Sequence, residues 1–527
     1  MKRIIFATIL FISTGVSFAQ EDTDFMRLYE VYSFIDRMYV DEVPRKDISE
    51  AAIVAMLEKL DPHSTYIPAE EVEQANERIN GSFVGVGIRF NILKDTILVV
   101  NPIPGGPSEK LGILAGDKII AVEGETVAGI GIKNSDVREK LLGEKGSKVN
   151  ITILRGGSEQ IDYVVTRADI PVNSVASSYM VDKTTGFIKL TNFSKTTDSE
   201  VKNEIKRLKK EGMVDLIFDL QGNGGGLLFA AKAVADEFLD KNKLIVYSEG
   251  RAQPKSNLNA DRKGGFETGR LIILIDESSA SASEIVSGAI QDWDRGLLVG
   301  RRSYGKGLVQ RPIPLSDGSQ IRLTIARYFT PSGRFIQKDY EDLEAYRNDY
   351  IDRFEHGEMM HRDSIHFDDS LIYKTLLKKR DVYGGGGIMP DVFVPLDTNE
   401  YSKMYRNLSR LGVINTFTIS YANSHRKSIL SKYKTIESFN ERFEIDKKFL
   451  DEFFEYTAEQ DTNFVYSEED FEISGDLLKV RLKAMLAQNI WDIGAFYQVF
   501  NVKNEIFMRG YEALKNGVYE EINLNEE

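Results

Sequence analysis

An alternation of strand-like and helix-like segments over residues 186–400 constrains the fold of this chain more than any other feature of its sequence. Apolar runs of strand length alternate with amphipathic runs of helical spacing: GFIKL, SEVKNEIKRLKKEG, DLIFDL, LLFAAKAVADEFL, KLIVYSE, LIILID, SASEIVSGAIQD, GLLVG and QIRLTIARYFT. This order is typical of an α/β domain with a mixed, largely parallel sheet and helices. We assign the domain to residues 168–400 and interpret its polar, charge-rich stretch at 338–380 as an inserted surface excursion.

Three other segments differ from this core in the spacing of their apolar residues and in their content of Gly and Pro. Residues 20–81 place apolar side chains at helical spacing and predict a helical N-terminal lead-in. Residues 82–167 consist of short β-branched runs separated by Gly and Pro, with two short helical runs, and predict a small β-rich domain. Residues 401–527 return to helical spacing without a nucleophile, base or metal set, so we predict a helical C-terminal extension that serves structure or assembly, as in a homo-oligomer.

Composition excludes several classes of function. Of the 527 residues, 42% are hydrophobic and 28% are charged, which is typical of a folded globular protein. The formal net charge of -14 disfavours nucleic acid as a partner, because the chain repels phosphate. The absence of Cys excludes thiol nucleophiles and disulfides. His356, His361 and His366 fit no zinc spacing, and we predict neither a metal nor another cofactor.

Residues 1–19 have the features of a secretory signal peptide. Lys2 and Arg3 form a positive start, residues 4–12 are apolar, and residues 17–19 form a small-x-small cleavage site. We predict export to the periplasm or cell envelope of a bacterium, with no stable membrane span after removal of the signal. An ordinary buried helix is one alternative. A retained membrane anchor is another, although the apolar part is shorter than the ~20 residues that a span needs.

The densest candidate for a nucleophile lies in residues 278–284, Ser-Ser-Ala-Ser-Ala-Ser-Glu, between an apolar strand and a predicted helix. A hydroxyl at such a junction lies beside the free N–H groups of the helix start, as an acyl-transfer nucleophile requires. The alternative is that the serines only cap the helix, with Glu284 in its first turn.

The candidate base is a lysine. No His lies near the serine run, and Lys is the other known activator of a serine hydroxyl, provided that burial makes the neutral amine available. Lys306 qualifies because it lies between Gly305 and Gly307, just after the apolar run GLLVG, although a solvated surface Lys is the alternative. Residues 300–306 also match the G-x-x-x-x-G-K frame of a phosphate-binding loop. Gly307 stands where that loop needs Ser or Thr, so we do not predict nucleotide binding.

Two glycine-rich turns are candidate anion sites. Residues 219–226, Asp-Leu-Gln-Gly-Asn-Gly-Gly-Gly, follow a buried strand, and their N–H groups could face a phosphate or a developing oxyanion. A tight turn without a ligand is the alternative. In the β-rich domain, Gly85, Val86, Gly87 and Ile88 suggest a turn that binds a peptide C-terminal carboxylate while the strand edge accepts the peptide. The alternative there is an ordinary glycine hairpin.

With these residues the chain resembles the C-terminal processing peptidases, or tail-specific proteases, which are Ser-Lys serine proteases with an embedded PDZ domain. The resemblance covers about residues 60–395 and rests on strings that occur in the family's order: LDPHSTYI, GVGI, PGGPSEKLGILAGDKIIAVEG, LLGEKGSKVNITILRGG, GFIKLTNF, DLQGNGGG, SASASEIVSGAIQD, GRRSYGKGLVQ, ARYFTPSGRFIQ and GIMPDV. It implies that residues 82–167 are the PDZ domain and residues 168–400 the α/β serine protease core.

The resemblance also implies roles for single residues. They are Ser281 as nucleophile, Lys306 as its base, Gln310 orienting the lysine, the N–H groups of Gly225 and Ala282 as oxyanion hole, and Asp292 as a supporting carboxylate. The implied function is an exported serine endopeptidase that recognises substrate C-termini through its PDZ domain and cleaves with a Ser-Lys dyad, in protein processing or quality control. Its partners would be proteins or peptides with free C-termini. A catalytically silent PDZ adaptor is the alternative.

The chain departs from the family pattern at three places. Gln221 and Gly224 replace an Arg and a Pro of the oxyanion loop, which predicts a more flexible loop in which Gly226 could serve as the donor. Ser278 replaces a Gly before the nucleophile. Leu142 replaces an Arg that is frequent in the family, so this chain lacks that side chain for coupling the PDZ domain to the active site.

Overall fold

The computed structural model describes residues 16–522 of the chain, with side chains from residue 23 onward. Residues 1–15, which hold most of the predicted signal peptide, lie outside the described residues. The chain forms two compact units. Among the described residues, the first contains residues 16–72 together with residues 310–324, and the second contains residues 73–309 and 325–522.

Helices dominate both ends of the described chain, and strands dominate its middle. The helices are α1 (Val16–Met38), α2 (Arg45–Glu58), α3 (Val72–Asn80), α4 (Pro107–Leu111), α5 (Asn134–Leu141), α6 (Thr197–Glu211), α7 (Leu228–Asp236), α8 (Ala282–Asp292), α9 (Leu343–Glu355), α10 (Lys403–Leu411), α11 (Val413–Lys432), α12 (Ile436–Arg442), α13 (Lys447–Gln460), α14 (Glu468–Ile490), α15 (Ile493–Phe500), α16 (Glu505–Lys515) and α17 (Val518–Glu521).

The strands are β1 (Thr65–Ile67), β2 (Ser82–Gly85), β3 (Ile88–Ile92), β4 (Ile97–Pro102), β5 (Lys118–Val122), β6 (Glu125–Thr126), β7 (Lys148–Arg155), β8 (Glu159–Thr166), β9 (Ala168–Pro171), β10 (Val175–Met180), β11 (Thr185–Leu190), β12 (Asp215–Asp219), β13 (Leu244–Gly250), β14 (Gln253–Asn259), β15 (Leu271–Ile275), β16 (Leu297–Gly300), β17 (Leu308–Pro314), β18 (Gln320–Phe329), β19 (Ile372–Lys374), β20 (Asp381–Tyr383) and β21 (Val392–Phe393).

In the first unit, α1 and α2 precede the short strand β1. This strand pairs antiparallel with the first residues of β18, where Thr65 lies opposite Arg322 and Ile67 opposite Gln320. Helix α1 leaves several large apolar side chains more than a third exposed: Phe25, Met26, Leu28, Tyr29, Val31, Phe34 and Met38.

The β-rich domain has an antiparallel sheet in the order β3-β4-β5-β7-β8, with β6 beside β5. Alternate side chains of its strands point into one core, as the two-residue period of a strand requires. That core contains Ile97, Val99, Ile119, Val149, Ile151 and Ile153. At the two ends of the domain, β2 and β9 pair antiparallel with each other, so the chain enters and leaves the domain through adjacent strands.

The main sheet of the second unit has the strand order β10-β11-β12-β15-β16-β21. The strands from β11 to β21 run parallel, and the edge strand β10 runs antiparallel to β11. Every residue of β12 and β15 is buried, as expected of central strands covered on both faces. In a second sheet, β13 pairs antiparallel with β14 and with the last residues of β18.

Two different parts of the chain cover the two faces of the main sheet. On one face Phe218 and Ile273 pack in a cluster with α6, α7 and α8. On the opposite face Ile217 packs in a cluster with Phe507 of α16. Helix α16 is therefore a layer of the α/β core, which the assignment of residues 401–527 to a separate region did not anticipate.

Helices α10 to α15 enclose a hydrophobic core of their own that is rich in aromatic side chains. Phe439 and Phe453 are completely buried in it. Several of these helices begin at a side chain that accepts a hydrogen bond from the first turn, which stabilises each start. These capping residues are Ser402, Thr435, Asp446, Ser467 and Asp492. The predicted helical C-terminal region is confirmed.

The inserted segment 338–380 is more than a surface excursion. It contains α9, and two side chains of that helix, Tyr346 and Arg353, are only 5% and 6% exposed. Their burial shows that one face of α9 packs against the α/β domain.

Candidate active site

Ser281 lies at the junction between β15 and α8, where the sequence predicts a nucleophile. It is the N-terminal boundary residue of α8, with φ 55° and ψ -110°. A non-glycine residue with positive φ is strained, and such strain concentrates at functional sites. The turn also places the Ser281 side chain beside the N-terminal end of α8, where N–H groups lack partners within the helix and the helix dipole favours negative charge.

Glu284 joins the serine turn to the segment that carries Lys306. Its side chain is completely buried. Oε2 accepts hydrogen bonds from the N–H groups of Ser281 at 2.7 Å and Lys306 at 2.9 Å, while Oε1 accepts from the Gly305 N–H at 2.6 Å and the Ser303 hydroxyl at 2.5 Å. Burial raises the pKa of Glu284, and the four donors only partly offset this effect.

Tyr328 makes a second connection between the same two segments. Its hydroxyl lies 2.6 Å from the carbonyl oxygen of Lys306 and 3.1 Å from that of Ser281. The side chain is 1% exposed, and burial, together with the charge of Glu284, raises its pKa well above the usual value. Tyr328 therefore keeps its proton and acts as a donor. The sequence pattern indicated Glu284 only as a residue of the first helical turn and gave no signal for Tyr328.

Lys306 itself is half-buried and lies between β16 and β17, in residues 301–307, which form neither helix nor strand. Its main chain is fixed on both sides of the Cα atom, since the Lys306 N–H donates to Glu284 and the Lys306 carbonyl accepts from the Tyr328 hydroxyl. The structure thus brings the segments of Ser281 and Lys306 together through two shared buried side chains.

Gln310 belongs to a hydrogen-bond network of the first unit. Its Nε2 donates to Thr324 Oγ1 at 3.2 Å, and that hydroxyl donates to Asp61 Oδ1 at 3.1 Å. Asp61 also accepts from the Ser64 hydroxyl at 2.7 Å. Asp61 and Ser64 belong to the string LDPHSTYI, so this string, on which the resemblance partly rests, fixes the amide of Gln310.

The glycine loop lies directly against the serine turn. Gly225 has φ +99°, and a methyl group added to it would lie 2.9 Å from Ser281 Cβ and 3.0 Å from the Ala282 nitrogen. Only glycine permits both this conformation and this approach. The Gly225 N–H donates to Asn223 Oδ1 at 2.9 Å, and Asn223 is itself completely buried. The structure therefore brings Gly225, Ser281 and Ala282 together.

Residues of β11 and of the segment that follows it hold the rest of this loop in place. Gly226 has φ +148° and forms a bridge with Phe193. The buried Lys189 pairs with Asp219 at 3.0 Å and donates to the carbonyl of Gln221 at 2.5 Å. A lysine from β11 thus contacts the segment in which the family's arginine is replaced by Gln221.

Asp292 lies at the opposite end of α8 from Ser281. Eleven residues of α-helix span about 16 Å. The Asp292 carboxylate forms a completely buried ion pair with Arg334 at 2.5 Å and accepts the Ser332 N–H at 2.8 Å. The structure does not bring Asp292 next to the serine turn.

In the β-rich domain, the predicted carboxylate-binding residues form the turn between β2 and β3. Gly85 ends β2, Gly87 has φ +77°, and Ile88 begins β3. The carbonyl of Val86 accepts from both the N–H and the hydroxyl of Ser108, at 3.2 and 2.6 Å, which fixes the turn.

Leu142 lies beside this turn, because a methyl group on Gly85 would lie 3.0 Å from Leu142 Cδ2. An arginine elsewhere in the domain, Arg167, bonds the carbonyls that end α5. It donates to Lys140 and Leu141, each at 3.0 Å.

The same domain is tied to the C-terminal region at the end of α14. Arg89 donates to the carbonyl of Gln488 at 2.8 Å, and Asn101 donates to that of Trp491 at 3.0 Å. Arg426 of α11 donates to the Asn101 side chain at 3.2 Å. Cations are favourable at a helix C-terminus, where carbonyl groups lack partners within the helix.

Three family models match the chain. The model of peptidase family S41 matches residues 184–343, the model of the PDZ domain matches residues 84–165, and a family of unknown function matches residues 404–492. The fold and these matches define a serine-type peptidase with a PDZ domain.

Curated relatives agree with this assignment. The chain is 35% identical to a carboxy-terminal processing protease, CtpA, of Bacillus subtilis, over 60% of this chain and 67% of that protein. It is 36% identical to the carboxy-terminal-processing protease of Bartonella bacilliformis, over 59% of this chain and 72% of that protein. The chain belongs to the carboxy-terminal processing proteases.

Among solved structures, the photosystem II D1 C-terminal processing protease is 26% identical and covers 70% of this chain and 92% of its own, with a TM-score of 0.36. Within residues 16–522, no helix combines the length and apolar character that crossing a membrane requires.

Proposed function

We propose that this chain is an endopeptidase in which Ser281 is the nucleophile and Lys306 is the general base. The observation that supports this most is that Glu284 and Tyr328 each contact the main chain of both residues. A nucleophile and its base must stay within hydrogen-bond reach of each other during the reaction. Shared buried anchors fix the two segments relative to each other.

In the proposed reaction, the neutral amine of Lys306 takes the proton of the Ser281 hydroxyl while Oγ attacks the carbonyl carbon of the scissile peptide bond. The ammonium so formed gives its proton to the leaving amine. The C–N bond then breaks and leaves an acyl-enzyme. Water, deprotonated by the same amine, hydrolyses the ester and restores Ser281.

The oxyanion would be bound by the N–H groups of Ala282 and Gly225. The Ala282 N–H is the first of α8, where donors point outward and negative charge is favoured. The Gly225 N–H bonds Asn223 in the structure, so its participation requires the peptide unit to turn toward the substrate. Gly226 supplies the next N–H of the loop and is the second candidate donor.

Gln310 would orient the amine of Lys306, four residues before it in the sequence. Its own amide is fixed by Thr324, which supports a defined orientation. We assign Asp292 a supporting role within the fold, through its ion pair with Arg334.

We propose that the PDZ domain recognises substrate C-termini through residues 85–88. The positive φ of Gly87 turns the chain at the start of β3, and turns of this kind direct successive N–H groups toward an anion. A peptide with an apolar free C-terminus should bind at least about tenfold more tightly than the same peptide with an amidated C-terminus, which isothermal titration would measure. Equal affinities would remove carboxylate capture from the proposal.

Residues 1–19 support export to the bacterial envelope, where the enzyme would process proteins or remove damaged ones. N-terminal sequencing of protein from the envelope fraction should begin at or near Gln20. A cytoplasmic protein that retains Met1 would contradict export. Association of chains through α10 to α15 is a further prediction, which sedimentation at several protein concentrations would measure.

Cleavage by the dyad is tested with the purified mature protein and an unfolded protein that has an apolar C-terminus. Ser281→Ala should abolish cleavage. Ser278→Ala is the matched control, because Ser278 is an exposed serine of the same turn. If Ser281→Ala cleaves as fast as the wild type, the nucleophile is another residue. If the wild type binds the substrate and never cleaves it under any condition, the adaptor alternative holds.

A further inference from the structure

The segment that carries Lys306 depends on distant side chains for its main-chain hydrogen bonds. Residues 301–307 form neither helix nor strand, and buried N–H and carbonyl groups need partners. The Lys306 N–H bonds Glu284 at 2.9 Å, and the Gly307 N–H bonds Gln337 Oε1 at 2.9 Å. The position of Lys306 is therefore set by the groups that supply these bonds.

Two consecutive carbonyls of the segment are held by one side chain of the inserted helix α9. Arg353 donates from Nη2 to the carbonyl of Arg302 at 2.7 Å and from Nη1 to that of Ser303 at 3.2 Å. Its Nε donates to Glu358 at 2.7 Å, and Glu358 also pairs with the Arg302 side chain at 2.6 Å. Arg353, Glu358 and the Arg302 side chain thus form an ionic cluster beside the main chain three to four residues before Lys306.

The start of the insertion contacts the same segment a second time. The Lys338 N–H donates to the carbonyl of Gly305 at 3.0 Å. The Lys338 ammonium lies 4.1 Å from the ring centre of Tyr304 and 2.8 Å from Asp349 of α9. Insertion and lysine segment are therefore packed together on both sides of Tyr304.

We propose that Arg353 is a positioning residue for Lys306 and that the insertion 338–380 serves to hold the lysine segment in its reactive place. The proposal rests on the proposed role of Lys306 as base. The planar guanidinium presents its N–H groups in a fixed fork that reaches both carbonyls at once, which an ammonium cannot do. Loss of that fork would leave two carbonyls without donors, and the segment would shift relative to Ser281. A small misplacement of a reacting group slows the chemical step more than it weakens substrate binding.

The test compares Arg353→Met and Arg353→Lys with Arg347→Met, which changes an exposed arginine of the same helix. Cleavage of a quenched-fluorescent unfolded casein gives kcat, KM and the pH profile of kcat, and the melting temperature reports folding. We expect Arg353→Met to lower kcat at least about tenfold with KM within about twofold of the wild type. The rise of kcat with pH should also move to higher pH, because a displaced amine is better solvated. Arg353→Lys should recover part of kcat, and Arg347→Met should match the wild type.

A folded Arg353→Met with unchanged kcat and pH profile would overturn the proposal, and so would a loss confined to KM. If Arg353→Met does not fold, the proposal is tested with Arg353→Lys instead, by the same comparison of kcat with KM and by the pH profile of kcat. Ser281→Ala and Lys306→Ala are measured alongside. If either of these retains activity, the proposed dyad fails, whatever the result at Arg353.

Discussion

Ser281 and Lys306 donate their main-chain N–H groups to the same oxygen, Oε2 of Glu284, at 2.7 and 2.9 Å. Because both N–H groups depend on this one buried acceptor, a shift of either main chain away from it breaks a hydrogen bond. Glu284 therefore behaves as a fixed link between the serine turn and the lysine segment.

Replacing Glu284 by Gln should weaken both the fold and the activity. The amide keeps the size of the side chain but turns one acceptor oxygen into a donor, which would face other donors. A buried polar group left without a partner costs about 1–3 kcal/mol. We expect a lower melting temperature and at least about a tenfold loss of casein cleavage. The exposed Glu249→Gln is the control. Wild-type activity and stability in Glu284→Gln would show that the link is not needed.

Replacing Lys306 by Arg should abolish cleavage. Arginine keeps the positive charge but does not lose its proton in proteins, so it cannot accept one from Ser281. Lys306→Ala removes the base outright and should be equally inactive. Because groups that act as a unit are not additive, the double variant Ser281→Ala/Lys306→Ala should be hardly slower than either single variant. A folded Lys306→Arg with most of its turnover would refute lysine as the base.

Asp182 should make the attachment of α16 sensitive to acid. It accepts from Tyr511 and Lys515, each at 2.8 Å. Burial alone would raise the pKa of Asp182, but the hydrogen bonds from Lys515, Thr184 and Tyr511 outweigh it and hold the pKa well below the usual range. Ionised Asp182 therefore stabilises the fold above the ordinary Asp value of about 3.9, and this stabilisation is lost as the pH falls through the lowered pKa.

The corresponding measurement is thermal unfolding of the wild type and Asp182→Asn between pH 7 and pH 2. At neutral pH the wild type should be more stable by about 1 kcal/mol, and the difference should shrink below about pH 4. The exposed Asp363→Asn should match the wild type throughout. A difference that stays constant down to pH 2 would show that the charge of Asp182 does not matter.

Replacing Arg426 by Met should loosen the attachment of the PDZ domain to the C-terminal region. The arginine donates to the carbonyls of Val100 at 3.0 Å, Asn489 at 2.6 Å and Ile490 at 2.9 Å. Without these bonds, the amides of β3 and β4 should exchange with deuterium at least about tenfold faster. The exposed Arg410→Met is the matched control. Unchanged exchange in Arg426→Met would show that other contacts hold the domain.

Sequence reasoning located the parts of the site that are local in the chain. The serine run 278–284 and the glycine loop 219–226 stood out because a turn between a buried strand and a helix has a recognisable composition, and Lys306 stood out because glycines flank it after an apolar run. Only the family resemblance singled out Ser281 and Gly225 within these turns. Glu284 was noticed only as a cap, since its burial depends on the tertiary fold. Nothing in the sequence pointed to Tyr328, because the residues around a tyrosine in a strand do not show which groups its hydroxyl contacts in the folded chain.

The fold shows the same limit on a larger scale. Helical spacing predicted the C-terminal helices, because an apolar face repeats along each of them. That spacing does not say which surface covers the face. Phe507 of α16 meets Ile217 of the main sheet, whereas Phe439 and Phe453 meet other C-terminal helices. Likewise, the polar composition of residues 338–380 predicted a segment exposed to solvent and gave no sign that Arg353 is buried.

The position of α16 in the chain has a consequence for synthesis on the ribosome. The strands that it covers are complete when β16 ends at Gly300, but residues 301–504 must be made before the helix exists. Throughout that interval one apolar face of the main sheet, with Ile217 and Leu274, has no cover from α16. In a nascent chain that stalls before residue 505, Ser281 therefore belongs to a domain whose main sheet still lacks α16 on one face. The protease domain is complete only after nearly the whole described chain has been translated.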